Sequence, residues 1–215
     1  MFLFCQDKDL LALEPTIFNS SNLKIHEIVS GTANLSDGKI IADSSLFEES
    51  IITPGMIAIV YKSIPSEGHA FEIISCDSAT TIQVSVLRSH ETQQQIKPAS
   101  QSDIKFKIVS FNSVHAKISE QIAARILPST ITSTAQLSDS NKAKLKHAAT
   151  IGSLAAIYLS RSTQLSNQDP DWTKHDYYKQ QFEQTLNRTK LHFATDEAGC
   201  SDSTRTLGNI SLRRI

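Results

Sequence analysis

The side chains best equipped for chemistry are the seven histidines, at 26, 69, 90, 115, 147, 175 and 192, and the acidic run from Asp196 to Asp202. Metal-binding histidines on one helix or strand recur as HxxxH or HxH, because those spacings put both rings on one side. No two histidines here are so spaced, so a metal would need ligands converging from separate segments. The run Asp196-Glu197-Ala198-Gly199-Cys200-Ser201-Asp202 loosely resembles a calcium loop. Such loops need oxygen ligands at positions one, three and five. Ala198 and Cys200 occupy the third and fifth, so the run reads instead as a helix end turned by Gly199. There is no GxSxG elbow, no P-loop and no GxGxxG, and the seven glycines do not cluster. No catalytic residue, metal or cofactor is expected, and the chain reads as a non-enzyme.

A second candidate is an aromatic stripe, Trp172, Tyr178, Phe182, Leu186, Thr189 and Phe193, at helical steps along Trp172–Phe193. With Lys174, Lys179, Arg188 and Lys190 it offers a stacking surface for nucleic acid. Asp171, Asp176 and Glu183 dilute that basic side, so a core face backed by a solvated face is the preferred reading. The tail after it, from Thr206 to Ile215, alternates with a period of two, as strands do. A strand-like chain end either folds back on earlier strands or adds to a neighbouring chain.

The elements that must position these residues fall into three zones. Residues 6–13 make a short helix stopped by Pro15. Residues 29–110 read as β. Thr32–Leu35 and Lys39–Ala42 flank Asp37-Gly38, a strong hairpin signal. Met56–Tyr61, Phe71–Cys76, Thr81–Leu87 and Ile104–Val109 follow, the last with Ile104, Phe106 and Ile108 on one face. Short strands so spaced suggest a small barrel or curled sheet, with His90–Asp103 as an exposed polar loop. Beyond residue 112 the period is helical again. Ile118, Ile122, Ala123 and Ile126 stripe one helix, and residues 129–140 are a Ser/Thr-rich linker. Ser140 or Asn141 could cap a second helix bearing Leu145, Ala148, Ile151, Gly152, Ala155, Tyr158 and Leu159, and Asp169-Pro170-Asp171 opens a third. The last two should pack as an antiparallel hairpin.

Charge sets further bounds. With 21 basic and 22 acidic residues, no net field draws the chain to nucleic acid or an anionic membrane. Cys5, Cys76 and Cys200 lie far apart, so simple thiols rather than a disulfide framework are expected. The opening Met-Phe-Leu-Phe-Cys meets Asp7 too soon for a secretion signal, and a cytoplasmic protein is expected. The fold class is α+β: a helical hairpin or bundle core with an inserted β-barrel-like domain and an extended C-terminal tail. The boundaries are an N-terminal helix joining the helical core (1–28), the β domain (29–110), the helical bundle (111–200) and the tail (201–215).

Taken together, Asp7-Lys8-Asp9-Leu10-Leu11-Ala12-Leu13-Glu14-Pro15, Trp172-x5-Tyr178-x3-Phe182-x3-Leu186, the turn at Asp196–Asp202 and the ending Ile210-Ser211-Leu212-Arg213-Arg214 resemble the head–tail connector (adaptor) family of tailed bacteriophages and related prophage or gene-transfer particles. The helical zones carry the match, and the β zone is an addition that the shortest members lack. The resemblance implies a homo-oligomeric ring, twelvefold in the family, beneath the portal protein in the virion neck. It implies assembly in the host cytoplasm and contact with other neck or tail proteins. DNA would pass through the ring without sequence-specific binding, and no membrane is involved. The portal-docking tail would use Arg205, Leu207, Ile210, Leu212, Arg213, Arg214 and Ile215. The subunit-packing helices would use Leu145, Tyr158, Trp172, Tyr178, Phe182 and Leu186. Alternative readings are another neck protein, a stopper or tail terminator, or a nucleic-acid-binding module built on the β domain.

Overall fold

The computed structural model describes residues 2–19, 23, 26–61, 68–90, 92–127, 137–164, 166, 168–193 and 203–206. Among these the chain is α+β, with four helices, a closed six-stranded antiparallel barrel and a separate two-stranded sheet. It divides into two compact units, Gln6–Phe111 and Met1–Cys5 with Asn112–Ile215.

In the first unit, α1 (Asp7–Leu13) is closed at its start by Asp9, whose carboxylate accepts the Gln6 amide at 2.9 Å. The strands are β1 (Glu27–Ser36), β2 (Lys39–Ala42), β3 (Ile57–Tyr61), β4 (Gly68–Ser78), β5 (Thr81–Ser85) and β6 (Gln101–Val109). They close in the order β1-β2-β5-β4-β3-β6, which leaves no barrel edge unpaired. Asp37 and Gly38, at φ of 50° and 75°, form the β1–β2 turn that two left-handed residues require. The interior is filled by the inward half of each alternating strand: Leu35, Ile40, Val60, Ile73, Ile82, Val84, Ile104, Phe106 and Ile108. Phe47, Ile52 and Met56 from the β2–β3 connection complete this core.

The segment expected as an exposed polar loop is exposed, Ile96 at 58%, but it is bonded to the barrel. Val86 and Ile96 are linked by a 2.9 Å main-chain bond, Lys97 reaches Asp37, and residues 101–103 already belong to β6. The N-terminal helix also differs from expectation. Residues 1–5 belong with the helices, but α1 belongs with the barrel. The reason is bonding: Phe111 donates its amide to Asp7 at 2.8 Å, Lys8 donates its amide to the Gly55 carbonyl, and Lys8 pairs with Glu72.

The second unit holds α2 (Asn112–Ile126), α3 (Asp139–Arg161) and α4 (Pro170–Arg188). Ser138 caps α3 by accepting the Asn141 amide, two residues before Ser140 and three before Asn141, the residues expected in that role. From Ala148 to Tyr158 every residue of α3 is buried or half-buried, so this helix is the interior element of its unit. Its small residues permit close neighbours. A Cβ added at Gly152 would lie 2.9 Å from a methyl of Ile118 on α2 and 2.9 Å from the ring of Phe182 on α4. The α3–α4 contacts descend along one helix as they ascend the other, Gly152 with Phe182, Tyr158 with Tyr178, so the two run antiparallel.

α4 stops at Arg188 rather than running to Phe193. Lys190–Phe193 form β7, which pairs antiparallel with β8 (Ser203–Thr206). Lys190-Leu191-His192-Phe193 alternates polar and apolar, so it suits a strand as well as a helix, and a ladder partner decides between them. Leu191 is fully buried in the helical core. Of the Ser/Thr-rich linker expected at 129–140, residues 129–136 lie outside the described residues, as does the run at 194–202 with Cys200, while Asp139 already opens α3. Among the described residues no helix is long and apolar enough to cross a membrane.

Gly152→Ala gains about 1 kcal/mol of helix propensity. It meets a β-branched methyl and an aromatic ring, however, and overpacking of that kind costs about 1–3 kcal/mol. Gly152→Ala should lower the thermal midpoint and Gly152→Val should prevent the helical unit from folding. A midpoint at or above that of the parent, followed by circular dichroism, would show that the helices can separate freely.

Candidate functional site

The α3–α4 turn is built around one carboxylate. Asp169 accepts the amides of Thr163 (2.7 Å), Gln164 (3.1 Å), Asp171 (2.8 Å) and Trp172 (3.4 Å), and the Thr163 hydroxyl at 3.1 Å. It thus ties the end of α3 to the first turn of α4, with Pro170 behind it. The Gln164 amide foremost, with those of Thr163 and Asp171 and the Thr163 hydroxyl, lowers its pKa to about 2 against an opposing desolvation effect.

Beyond this clamp lies an aromatic and cationic cluster. The Tyr158 and Tyr178 rings stack at 5.8 Å and 4°, and Tyr177 meets Tyr178 edge-on at 5.1 Å. Lys174 donates to the Tyr158 hydroxyl at 3.0 Å and sits 4.9 Å from its ring centre, while the Arg161 guanidinium lies at 5.9 Å. Burial lowers the Arg161 pKa, opposed by Tyr158 and Asp171. Trp172 leans on His175, whose Nδ1 lies 2.8 Å from the Ala155 carbonyl. A carbonyl only accepts, so Nδ1 carries the proton.

This placement sorts the expected packing residues. Leu145, Tyr158, Phe182 and Leu186 are buried inside the unit, whereas Trp172 and Tyr178 are half-exposed beside Tyr177, which is 57% exposed. The cluster therefore presents a partly exposed face of aromatic edges and two cations. Arg205 lies in β8, and Leu207, Ile210, Leu212, Arg213, Arg214 and Ile215 lie outside the described residues.

Two polar constellations went unseen in the sequence. Cys5 Sγ lies 3.2 Å from His115 Nδ1, and the same nitrogen lies 2.9 Å from Ser153 Oγ. That is nucleophile-to-base spacing, but all three groups are at most 2% exposed. Together with the Phe4 amide, which donates to Ser119 Oγ at 3.0 Å, the contact holds the N-terminal segment onto α2 and α3. In the barrel unit, Glu72 is 1% exposed and receives Lys8 at 3.4 Å and Arg88 at 3.1 Å, with further bonds from the Arg88 Nε and backbone amide. One buried carboxylate thus serves two cations from distant parts of the chain. Residues so far apart in sequence leave no spacing signal.

On the barrel surface, Lys39 pairs with Asp77, Lys97 with Asp37 and Lys107 with Glu27, which weakens any basic stripe for nucleic acid. The Lys97 bond is the main cause that lowers the Asp37 pKa; for Asp77 it is the Ser75 hydroxyl, followed by Lys39. Among the described residues no group of three or more His, Cys, Asp or Glu could hold a metal ion. No family model, curated protein or solved structure matches the chain.

Glu72→Ala would leave Lys8 and Arg88 buried without their carboxylate, at a cost of about 3–5 kcal/mol. Glu72→Gln, which keeps shape and acceptor, should cost less. Urea denaturation checks both, and a Glu72→Ala loss below about 1 kcal/mol would mean that water enters the cluster. Asp169 sets a pH window. Its folded pKa, about 2, lies below the ordinary 3.8. Its stabilisation is thus complete above the ordinary value and is lost as pH falls through the folded one. Fluorescence of Trp172, the only tryptophan, should report loosening of this turn on acidification from pH ~4 to ~2. Asp169→Asn should remove that component of the titration; an unchanged profile would assign the acid transition elsewhere.

Proposed function

We propose that the chain is a non-enzymatic assembly part, a head-to-tail adaptor that forms a ring under a portal and docks through its C-terminal segment. The observation that supports this most directly is β8. Ser203–Thr206 is held as a strand on β7, and the sequence after it carries apolar residues at 207, 210, 212 and 215, which in an extended segment fall on both faces. An extended segment adds main-chain hydrogen bonds to a sheet edge, and alternate side chains fill pockets. Leu207, Ile210, Leu212 and Ile215 serve as apolar anchors in this reading, and Arg205, Arg213 and Arg214 pair with portal carboxylates.

The helical hairpin of α3 and α4 is the lateral element of the ring. Leu145, Tyr158, Phe182 and Leu186 keep it rigid from within, and Trp172, Tyr177 and Tyr178 face the neighbouring subunit. Repetition around a ring turns weak contacts into durable attachment. The barrel is the added domain carried by each subunit.

The test is truncation after Thr206. The shortened chain should keep the thermal midpoint and helical content of the full chain but no longer co-sediment with the portal protein of the same particle. Undiminished portal binding would sink the docking role of the tail.

A further inference from the structure

Charge is divided unevenly along the helical unit. At the α3–α4 turn, Asp169, Asp171 and Asp176 outnumber Arg161 and Lys174. The opposite end is basic. Gly152, approached by Ile118 of α2 and Phe182 of α4, gives the three helices a common origin. His115 meets Ser153 as Ile118 meets Gly152, so α2 runs antiparallel to α3, as α4 does. At ~1.5 Å of rise per residue, Lys146 and Lys142 lie roughly 9 and 15 Å from Gly152 down α3. Arg188 lies roughly 9 Å along α4 and Arg125 roughly 10 Å along α2, towards the same end.

Five cations, Arg125, Lys142, Lys144, Lys146 and Arg188, stand at this end against two acids, Asp139 and Glu183. The ion pairs between them are surface pairs. Lys142 meets Asp139, whose side chain is 98% exposed, and Arg125 meets Glu183, both at least half exposed. Such pairs contribute less than about 1 kcal/mol and yield to a stronger anion. The sequence beyond Arg188 adds four cations and three acids, so it does not reverse the balance.

What the basic end lacks selects its partner. A protein interface needs an apolar centre. Among the described residues, the exposed large apolar side chains of α2, α3 and α4 are Leu159 and Tyr177, both at the acidic end. Single-stranded nucleic acid needs aromatic faces to stack on, and Trp172, Tyr177 and Tyr178 are at that acidic end too. The phosphates of a duplex need cations alone. Lysines, compact charges on flexible stems, suit a backbone that is touched without its sequence being read.

We infer that the end of the helical unit bearing Lys142, Lys144, Lys146 and Arg188 is a non-specific contact for the phosphate backbone of duplex nucleic acid. The inference goes beyond the ring reading and holds for a single copy as for a ring. A formal charge of −1 gives the whole chain no attraction to a polyanion. Separated charge nevertheless turns this end towards it and the acidic end away.

The test is fluorescence anisotropy of the full-length chain on a short labelled DNA duplex of mixed sequence, titrated with salt from about 50 to 200 mM. The parent should bind, and more weakly as salt rises. Lys142→Gln with Lys146→Gln and Arg188→Gln should weaken binding about tenfold or more at low salt and flatten the slope of log K against log salt by about 2 to 3. Lys39→Gln with Lys97→Gln, on the barrel, should change neither. An unaltered thermal midpoint in the triple variant separates a lost contact from a lost fold. Should that variant melt early, Lys146→Gln alone replaces it, with the slope flatter by about 1. No duplex binding at low salt, a triple variant that binds like the parent, or an equal loss in the barrel variant would overturn the assignment. Single strands bound as tightly as the duplex would overturn it in favour of stacking at the aromatic end. Poly-glutamate bound as tightly would overturn it in favour of an acidic protein. Co-sedimentation with the portal is a separate readout, so failure here and failure of the ring reading remain distinguishable.

Discussion

A glycine with no room for a methyl group governs the helical unit. At Gly152 the backbone of α3 is approached from one side by Ile118 of α2 and from another by Phe182 of α4. One turn on, Ala155 gives its carbonyl to His175, and next to Gly152 the hydroxyl of Ser153 reaches the His115 ring that also meets Cys5. Three helices and the N-terminal segment therefore take their spacing from a short stretch of α3. Close packing makes that spacing stiff, because interior gaps smaller than a methyl group cannot be absorbed without moving a neighbour. The aromatic end of α3 and α4 inherits its rigidity from there: Tyr158 is held in α3, and Tyr178 stacks on it from α4.

The barrel unit is organised by closure and by charge. Closure pairs β1 with β6 and removes the exposed edges that an open sheet would present. Charge then secures α1, since Lys8 meets Glu72 and Asp7 takes the Phe111 amide. A buried ion network is poor evidence of stability in itself, because desolvation offsets much of the attraction. Here its consequence is positional: it places α1 against β4 and ties both ends of the unit, near residues 7 and 111, to each other.

These two constraints bear on function through preorganisation. A surface that must recognise a neighbour without reordering loses less on binding than a flexible one. The stacked tyrosines with their cations, proposed above as a subunit-packing surface, are of that kind. The segment after β8 is proposed to work differently, through main-chain hydrogen bonds that any extended partner edge can accept.

Local signals in the sequence determined much of the element list. Short apolar runs between turn signals located all six barrel strands, though β1 begins earlier than expected and β5 ends sooner. Asp37-Gly38 set the first hairpin, and Asp169-Pro170 the start of α4, because turn and cap chemistry acts within four residues. Only the tertiary structure decided the rest. Lys190–Phe193 suited helix and strand alike until Ser203–Thr206 supplied a ladder. α1 carried nothing local to say that it belongs with the barrel; its bonds to residues 55, 72 and 111 did. The meeting of Cys5, His115 and Ser153, and the sorting of Leu145, Tyr158, Phe182 and Leu186 into the interior beside half-exposed Trp172 and Tyr178, came from helix packing. Periodicity names the apolar face of a helix, but only the neighbours that cover it decide which part stays open to a partner.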